Sequence, residues 1–398
     1  MEEIPGGITA PLEFRANGTA SGIKKKGKDL ALIYSDRPAA ACGVFTKNRM
    51  RAAPVILSSS YLKSGKKRAF IINSGNANAA TGAGGLADAR TVSAETAARL
   101  KVPARGVLVF STGIIGKPLP VDKIIDNLEP LISGLGRDGS ASAAEAIMTT
   151  DTFIKEKAVK FDIGGVQVRL GGIAKGSGMI APDLATMLCF ITTDAAIEAA
   201  ALDKALRSSV EKSFNSITVD GDCSTNDSVA VLANGAAGNR KILSGTADYR
   251  KFSGALFYVC AELAKMIVKD GEGASKLIEV RTEGARSVAD AKKACFAVAN
   301  SLLVKTAVSG ENPNWGRIVS SAGASGAYLE PEKLSVSIGD CVVFHNGSPV
   351  DFSKKSADNE MKASGIKIGI DLGLGRKSWT VLTVDLSEDY VRINKEYS

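Results

Sequence analysis

The feature that most constrains this chain is a glycine-rich segment that runs directly into an apolar stretch. The segment reads Lys175-Gly-Ser-Gly-Met-Ile-Ala-Pro-Asp-Leu-Ala-Thr186, and the residues after it, 187–193, are predicted to form a strand. Glycine allows the backbone to take positive φ values or to approach another group closely. The pattern therefore predicts a hydroxyl nucleophile, Thr186, where a loop meets a rigid strand. Cleavage of the Ala185–Thr186 bond would leave Thr186 with a free amine beside its hydroxyl.

The supply of catalytic bases also favours such a cleavage. The chain has one histidine, His345, which is predicted to end a strand at a turn. A Ser-His-Asp or Cys-His arrangement would have to use this residue, and a histidine in that position is more often structural. An α-amino group has an unperturbed pKa of about 7.7–8.0, in the range of a general base. Thr186 with its own amine supplies nucleophile and base from one residue.

Composition narrows the classes of partner. The 398 residues contain no apolar run near the roughly 18 residues of a membrane span, and the amino terminus lacks a hydrophobic leader. The six cysteines are scattered without metal-ligand spacing, which favours buried reduced thiols in the cytoplasm and no metal. The net charge of +8 admits nucleic acid, but its basic runs stand at turns and are not interleaved with aromatic residues. Small carboxylate-bearing substrates suit this charge better.

Strands and helices alternate along the whole chain without a fixed repeat. Strands are predicted at 30–34, 69–73, 107–111, 166–170, 187–193, 334–338 and 380–386. Helices are predicted at 87–100, 141–148, 195–214, 254–268 and 288–304. The irregular spacing argues against a plain Rossmann fold or barrel and predicts an α/β fold, specifically an α+β layered sandwich.

Several loops carry polar residues where strands should end. Thr112 and Gly113 follow a predicted strand and are a candidate oxyanion hole, although Ser-Thr-Gly in this position is more often an ordinary turn. The run Asp220–Asp227 lacks the terminal glutamate of a calcium loop and is interpreted as a turn with a hydrogen-bond network. The glycine-rich stretch 365–378 fails the phosphate-loop spacing, so no nucleotide cofactor is predicted.

Taken together and in order, these motifs resemble the ornithine acetyltransferase family, the bifunctional glutamate N-acetyltransferases of arginine biosynthesis, almost from end to end. The resemblance is carried by residues 72–78, 111–113, 149–152, 174–179, 185–188, 218–222, 270–273, 313–317 and 390–394. Each motif alone is weak, and their combination is specific.

The resemblance implies a self-cleaving fold of the N-terminal-nucleophile type, shared with DmpA-type aminopeptidases. It implies cleavage between Ala185 and Thr186 into chains 1–185 and 186–398, assembled as a heterotetramer of two copies of each. Thr186 would accept acetyl from N2-acetyl-L-ornithine and pass it to L-glutamate, with acetyl-CoA as an additional donor in some members. The resemblance assigns the oxyanion hole to Thr112 and Gly113, and substrate binding to Thr149, Lys175, Thr186, Glu272, Asn394 and Ser398.

Two other functions fit the same nucleophile. A self-cleaving amidohydrolase or aminopeptidase would use the acyl-Thr186 intermediate with water as the acceptor. A binding protein that keeps the fold would remain uncleaved. The products of acyl transfer distinguish the first alternative, and a denaturing gel distinguishes the second.

Overall fold

The structure, a computed structural model, describes residues 1–181 and 187–396. The chain divides into two compact units, which are described separately below. The first comprises Met1–Asn215 with Asp222–Ile267, and the second comprises Ser216–Gly221 with Val268–Ser398.

Unit 1 holds the first nine strands and the first seven helices of the described chain. In chain order they are β1 Glu2–Ile4, β2 Phe14–Thr19, β3 Leu30–Phe45, α1 Ala53–Tyr61, β4 Lys67–Asn76, α2 Gly82–Leu100, β5 Val107–Ile114, α3 Val121–Asp126, α4 Leu128–Ser133, α5 Ser140–Ala146, β6 Lys155–Ile163, β7 Val166–Lys175, β8 Leu188–Thr193, α6 Ala199–Glu211, β9 Ser228–Ala233 and α7 Ala247–Lys269, whose last residues belong to unit 2.

The long strand β3 organises unit 1. Its first part pairs antiparallel with β2 and β4, and its last part pairs antiparallel with β9. The register shifts between Tyr34 and Ala39, where the strand passes from one set of neighbours to the other. The sheet order is β1-β6-β7-β8-β9-β3-β4-β5, with β2 beside β3.

The strands on either side of β3 in this sheet contribute to one buried core. The rings of Phe70 on β4, Phe110 on β5 and Phe190 on β8 meet with centroids 4.8–5.5 Å apart. They join a cluster with apolar residues of β2, β3, β9 and α5. A second cluster lies between the other face of β4–β5 and helices α1 to α4. Unit 1 is therefore layered from helices and sheets, and the predicted α/β layered fold class is confirmed.

Unit 2 contains the remaining elements. They are β10 Leu277–Ala285, α8 Val288–Ala299, α9 Leu302–Ser309, α10 Trp315–Gly323, β11 Ser335–Ile338, β12 Cys341–His345, β13 Ser348–Pro349, α11 Lys354–Lys362, β14 Gly365–Asp371, β15 Lys377–Val384 and α12 Glu388–Glu396. Its six strands follow the order β13-β12-β11-β14-β10-β15, with β10 and β14 parallel. One apolar cluster packs this sheet against α8, α9 and α10.

Strand ends place the functional residues of unit 1. Strands β8 and β9 are parallel and begin side by side, with Leu188 opposite Ser228. Strand β7 ends against the start of β8, where Lys175 pairs with Leu188. Strands β4 and β5 are also parallel, and Gly75 lies opposite Gly113 where they end.

Two sequence-based predictions need correction. The helix predicted at 288–304 is two helices, because the Ser301 side chain accepts a hydrogen bond from the Val304 N–H at 3.3 Å and caps a new helix there. The second concerns residues 311–317, whose two asparagines flanking Pro313 predict a loop packed by Trp315: helix α10 begins at Trp315, and the Trp315 ring stacks on Phe344 with centroids 5.4 Å apart.

All six cysteines are free thiols, four of them buried. Within residues 1–181 and 187–396, no helix has the length and apolar character needed to cross a membrane.

Candidate active site

The predicted oxyanion residues lie at the end of β5. Thr112 is buried, and Gly113 has a φ of +133°, a conformation that favours glycine. A Cβ atom on Gly113 would lie 2.3 Å from the carbonyl carbon of Gly75 and 2.5 Å from the nitrogen of Asn76. Residue 113 must therefore be glycine for β4 and β5 to approach this closely.

Asn226 holds this strand end in place. Its side-chain amide donates to the carbonyl of Ser111 at 2.8 Å and to the carbonyl of Ala77 at 2.6 Å. The Ser111 carbonyl belongs to the peptide group that carries the Thr112 N–H. The orientation of a backbone donor at the predicted oxyanion hole is thus fixed by a buried side chain just before β9.

The next residue, Asp227, holds the start of β8. Its Oδ1 accepts a hydrogen bond from the Met187 N–H at 2.8 Å, and the Ser228 N–H donates to the Met187 carbonyl at 3.1 Å. Both Asp227 and Met187 are buried. Burial raises the pKa of the Asp227 carboxyl well above its ordinary value, and the Met187 N–H and the Lys175 ammonium offset this only in part.

A second buried carboxyl, Asp151, has a pKa shifted in the opposite direction. Its Oδ1 accepts from the Lys155 ammonium at 2.7 Å and from the Gly176 N–H at 2.7 Å. Its Oδ2 accepts from the Thr149 N–H at 3.0 Å and lies 3.7 Å from the Lys175 ammonium. Burial alone would raise the pKa of Asp151, but the two ammonium groups and these hydrogen bonds hold it well below its ordinary value.

Two predicted substrate-binding residues meet in this cluster. The Lys175 ammonium donates to the Thr149 hydroxyl at 2.6 Å, and the Lys175 side chain is 2% exposed. The carboxylate of Asp151 therefore lies beside two ammonium groups, those of Lys155 and Lys175. A third lysine, Lys24, donates from its ammonium to the carbonyl of Met148 at 3.0 Å.

Two further predicted residues meet in unit 2. The Asn394 amide of α12 donates to a carboxylate oxygen of Glu272 at 2.9 Å. Close packing positions the pair, because a Cβ atom on Gly273, whose φ is +68°, would lie 2.3 Å from the Tyr390 nitrogen. The Tyr390 hydroxyl also bonds to Asp220 at 3.3 Å. The structure therefore groups Thr149 with Lys175 in unit 1, and Glu272 with Asn394 in unit 2.

Three predicted residues, Ala185, Thr186 and Ser398, lie outside the described residues. His345 lies on an exposed hairpin, where its ring nitrogens are 3.1 Å from the Ser335 hydroxyl and 3.1 Å from the Asn346 amide. Among the described residues, no group of three or more His, Cys, Asp or Glu side chains is arranged to hold a metal ion.

Sequence reasoning missed the residues that support the site. Asn226 and Asp227 stand in the segment interpreted as a hydrogen-bond network, but nothing in the pattern showed which backbone groups they hold. Asp151 stands in the 149–152 motif, from which only Thr149 was predicted to have a role. Lys155 gave no signal, because a lysine in a strand is normally exposed and this one is fully buried.

Comparison with known proteins decides the family. The ArgJ family profile matches residues 15–398. This chain belongs to the ArgJ family. It is 48% identical to the arginine biosynthesis bifunctional protein ArgJ of Symbiobacterium thermophilum over the full length of both chains, and 47% identical to that of Caldanaerobacter subterraneus, again over both chains in full.

Among solved structures, the bifunctional protein ArgJ of Bacillus halodurans is similar, with 41% identity and a TM-score of 0.51. The match covers 52% of this chain and 98% of that chain. As a member of the ArgJ family, this protein is an acetyltransferase of arginine biosynthesis, as its motifs indicated.

Proposed function

We propose that this ArgJ protein cuts itself between Ala185 and Thr186 and then transfers acetyl from N2-acetyl-L-ornithine to L-glutamate through an acetyl-Thr186 ester. One observation carries the proposal. The consecutive residues Asn226 and Asp227 hold the peptide group of Thr112 and the N–H of Met187, the residue bonded to Thr186. A nucleophile and the donors that serve it must be held in fixed mutual positions, and this dipeptide supports both.

Self-cleavage comes first. The Thr186 Oγ attacks the Ala185 carbonyl carbon, the C–N bond breaks, and its nitrogen becomes the α-amine of Thr186. Water then hydrolyses the resulting ester, which leaves a carboxylate on Ala185 and restores the Thr186 hydroxyl. Each tetrahedral intermediate carries an oxyanion, which Thr112 and Gly113 stabilise through hydrogen-bond donors.

Acetyl transfer repeats this chemistry on a substrate. The Thr186 Oγ attacks the acetyl carbonyl carbon of acetylornithine while the Thr186 amine takes the hydroxyl proton. The bond between acetyl carbon and ornithine nitrogen breaks, and the proton passes to the departing amine. The amine of glutamate then attacks the ester, which forms N-acetylglutamate and regenerates the hydroxyl. This is a ping-pong sequence with one acyl-enzyme.

The polar clusters give substrate recognition a physical basis. The Lys175 ammonium suits a substrate carboxylate, with the Thr149 hydroxyl, to which it donates at 2.6 Å, as a neighbouring polar contact. The carboxylate of Glu272, held by Asn394, suits the side-chain ammonium of ornithine. Ser398 is proposed as a further contact by family resemblance.

The mature enzyme is proposed to consist of chains 1–185 and 186–398, two copies of each, in the cytoplasm and without a cofactor. The Bacillus halodurans chain supports a two-chain form. Since 98% of it matches only 52% of this chain, it is about half as long. The word bifunctional in the relatives' names supports a second reaction, acetyl transfer from acetyl-CoA to glutamate.

Intact-mass measurement tests the proposal. Purified protein should give fragments of about 19 and 22 kDa from the 41.3 kDa chain. Brief exposure to acetylornithine should add about 42 Da, one acetyl group, to the fragment that begins at Thr186. Glutamate should remove this mass and yield N-acetylglutamate.

Matched variants sharpen the test. Thr186→Ala should stay at full length, whereas Thr193→Ala, which removes a β8 hydroxyl bonded to the Arg169 carbonyl at 2.8 Å, should still be cleaved. Cleavage of Thr186→Ala, or a wild-type fragment without added acetyl, would refute the proposal. Release of acetate without N-acetylglutamate would instead identify the amidohydrolase alternative.

A further inference from the structure

Asp227 is a fully buried acid whose two carboxyl oxygens have different surroundings. The residue is 0% exposed, and its Oδ1 accepts from the Met187 N–H. Within residues 1–181 and 187–396, its Oδ2 has no hydrogen-bond partner. Buried polar atoms are nearly always paired, so an unpaired oxygen beside the site requires an explanation.

We propose that Asp227 is a neutral carboxylic acid that positions Thr186, through the Met187 peptide, and leaves the Thr186 amine free to act as a base. The inference rests on the proposed function. It concerns a positioning residue, because the contact is with the backbone after the nucleophile.

Geometry supports the neutral form. A buried carboxylate normally requires charged or N–H donors on both oxygens, as Asp151 shows with two lysines and two backbone N–H groups. On Asp227, Oδ1 accepts from the Met187 N–H, and the Ser224 N–H and hydroxyl also act on the carboxyl. The charged group acting on it is the Lys175 ammonium, which already donates to Thr149 and lies beside Asp151. The raised pKa of Asp227 agrees with this difference.

Neutrality matters because of where Asp227 lies. Consecutive Cα atoms are about 3.8 Å apart. The Asp227 carboxyl, which is hydrogen-bonded to the nitrogen of the next residue, Met187, is therefore expected within roughly 6 Å of the Thr186 amine. At that distance an opposite charge raises the pKa of an amine by about 1–3 units. An ionised Asp227 would keep the amine protonated at neutral pH. A neutral acid provides the same hydrogen bond without that effect.

The neighbouring residue Asn226 explains why the positioning group should be at residue 227. Its amide fixes the Ser111–Thr112 peptide, and the adjacent Asp227 fixes the Met187 peptide. A displacement of one relative to the other would change the distance between oxyanion donors and nucleophile. Misplacement by about 1 Å can cost roughly 10²-fold in rate.

Asparagine is the decisive replacement. It has the shape of aspartic acid, an acceptor oxygen and no charge. Asp227→Asn should cleave itself, retain kcat within about threefold, and keep the acid limb of its kcat/KM profile where the wild type has it, since no charge is lost. Asp227→Ala and Asp227→Leu leave the Met187 N–H unpaired and should lose about 10- to 100-fold in kcat.

Asp194 provides the matched control. It is also a buried aspartate of unit 1, and its two oxygens accept from the N–H groups of Leu12 at 3.0 Å and Arg169 at 2.7 Å. Asp194→Ala should lower stability while its folded fraction cleaves and turns over normally. If kcat falls in Asp227→Ala and Asp227→Leu but not in Asp194→Ala, Asp227 acts by positioning the site, because general destabilisation would affect all three variants.

Infrared difference spectroscopy provides a readout that does not depend on activity. The wild type minus Asp227→Asn spectrum of the matured enzyme at neutral pH should contain the C=O stretch of a protonated carboxyl. Absence of this band, a shift of the acid limb by a unit or more in Asp227→Asn, or normal kcat in Asp227→Ala would overturn the inference. If the alanine and leucine variants do not fold, the infrared band and the asparagine profile decide. Wild-type acetylation at Thr186 tests the proposed function separately.

Discussion

Asn226 and Asp227 are consecutive residues that bind two different backbone segments of the site. The Asn226 amide donates to the Ser111 carbonyl at 2.8 Å, and the Asp227 carboxyl accepts from the Met187 N–H at 2.8 Å. These bonds reach the ends of β5 and β8. In the sheet order, β9, β3 and β4 lie between these two strands. The dipeptide therefore joins strand ends that are not neighbours in the sheet.

Removal of the Asn226 amide should impair catalysis beyond its effect on stability. In Asn226→Ala, two buried carbonyls lose their side-chain donor, which should cost about 1–3 kcal/mol in the free energy of unfolding. The Thr112 peptide also loses its support, and kcat should fall about 10- to 100-fold. Denaturant unfolding and steady-state kinetics measure the two effects.

The control for this variant is Asn239→Ala. Asn239 is another buried asparagine of unit 1, and it bonds to the backbone of Ala196 and Arg240. This substitution should lower stability to a similar extent and leave kcat unchanged. An equal loss of kcat in both variants would contradict a specific role for Asn226.

A methyl group on Gly113 should damage the oxyanion hole. In Gly113→Ala the new Cβ would meet the Gly75–Asn76 backbone at 2.3–2.5 Å, so the end of β5 must move. Loss of one oxyanion donor typically lowers kcat by about 10²–10³-fold, and both acetyl transfer and self-cleavage should slow. Gly116→Ala is the control, because Gly116 also has a positive φ, +84°, but open space around its Cβ position. Similar kinetics in the two variants would show that strain alone accounts for the loss.

Asp151 should stabilise the protein in a pH-dependent way. Asp151→Asn leaves two buried lysines without their carboxylate and should cost about 3–5 kcal/mol near neutral pH. The folded-state pKa of Asp151 is depressed, so its contribution is present above the unfolded value of about 3.9 and is lost as pH falls through the folded value. The difference in unfolding free energy between wild type and variant should therefore be constant above about pH 5 and shrink below about pH 4.

An exposed aspartate provides the reference for that experiment. Asp162 lies on the surface, 59% exposed, with Lys251 at 3.8 Å. Asp162→Asn should change stability little at any pH, because exposed ion pairs contribute weakly. A difference for Asp151→Asn that grows towards acid would contradict the depressed pKa.

Substitution of Glu272 should change the KM for acetylornithine, the acetyl donor, more than the KM for glutamate, the acetyl acceptor. Glu272→Gln keeps an oxygen for Asn394 but removes the charge proposed to bind the ornithine ammonium. The KM for acetylornithine should rise about tenfold or more, as for the loss of one charge-assisted hydrogen bond, with a smaller change for glutamate. The control is Glu388→Gln, at the start of α12. An unchanged KM for acetylornithine would remove Glu272 from this role.

The sequence predicted the layered fold class because apolar strands such as 69–73 and 107–111 carry a clear local pattern. It did not predict the extent of β3, since Pro38 and the charged Asp36 and Arg37 interrupt that pattern while the tertiary pairing continues past them. The helix predicted at 288–304 ran across Ser301, because its apolar periodicity outweighed one capping residue.

The candidate site also has features that the sequence predicted and features that it did not. Thr149 with Lys175, and Glu272 with Asn394, were named from the family resemblance, and within each pair the structure shows a hydrogen bond. The opposite pKa shifts of Asp151 and Asp227 could not be predicted, because they depend on burial and on which donors reach each oxygen. These are long-range properties that sequence spacing does not encode.

The sheet order has a consequence for the proposed two-chain enzyme. Strands β8 and β9 follow residue 186, yet they lie between β7 and β3, which both precede it. A nick at residue 185 would leave this central pair bound on one side by six residue pairs to β7 and on the other side by six to β3. The fragments could separate only if both hydrogen-bonded ladders opened together. Maturation would thus free a chain end without releasing a subunit.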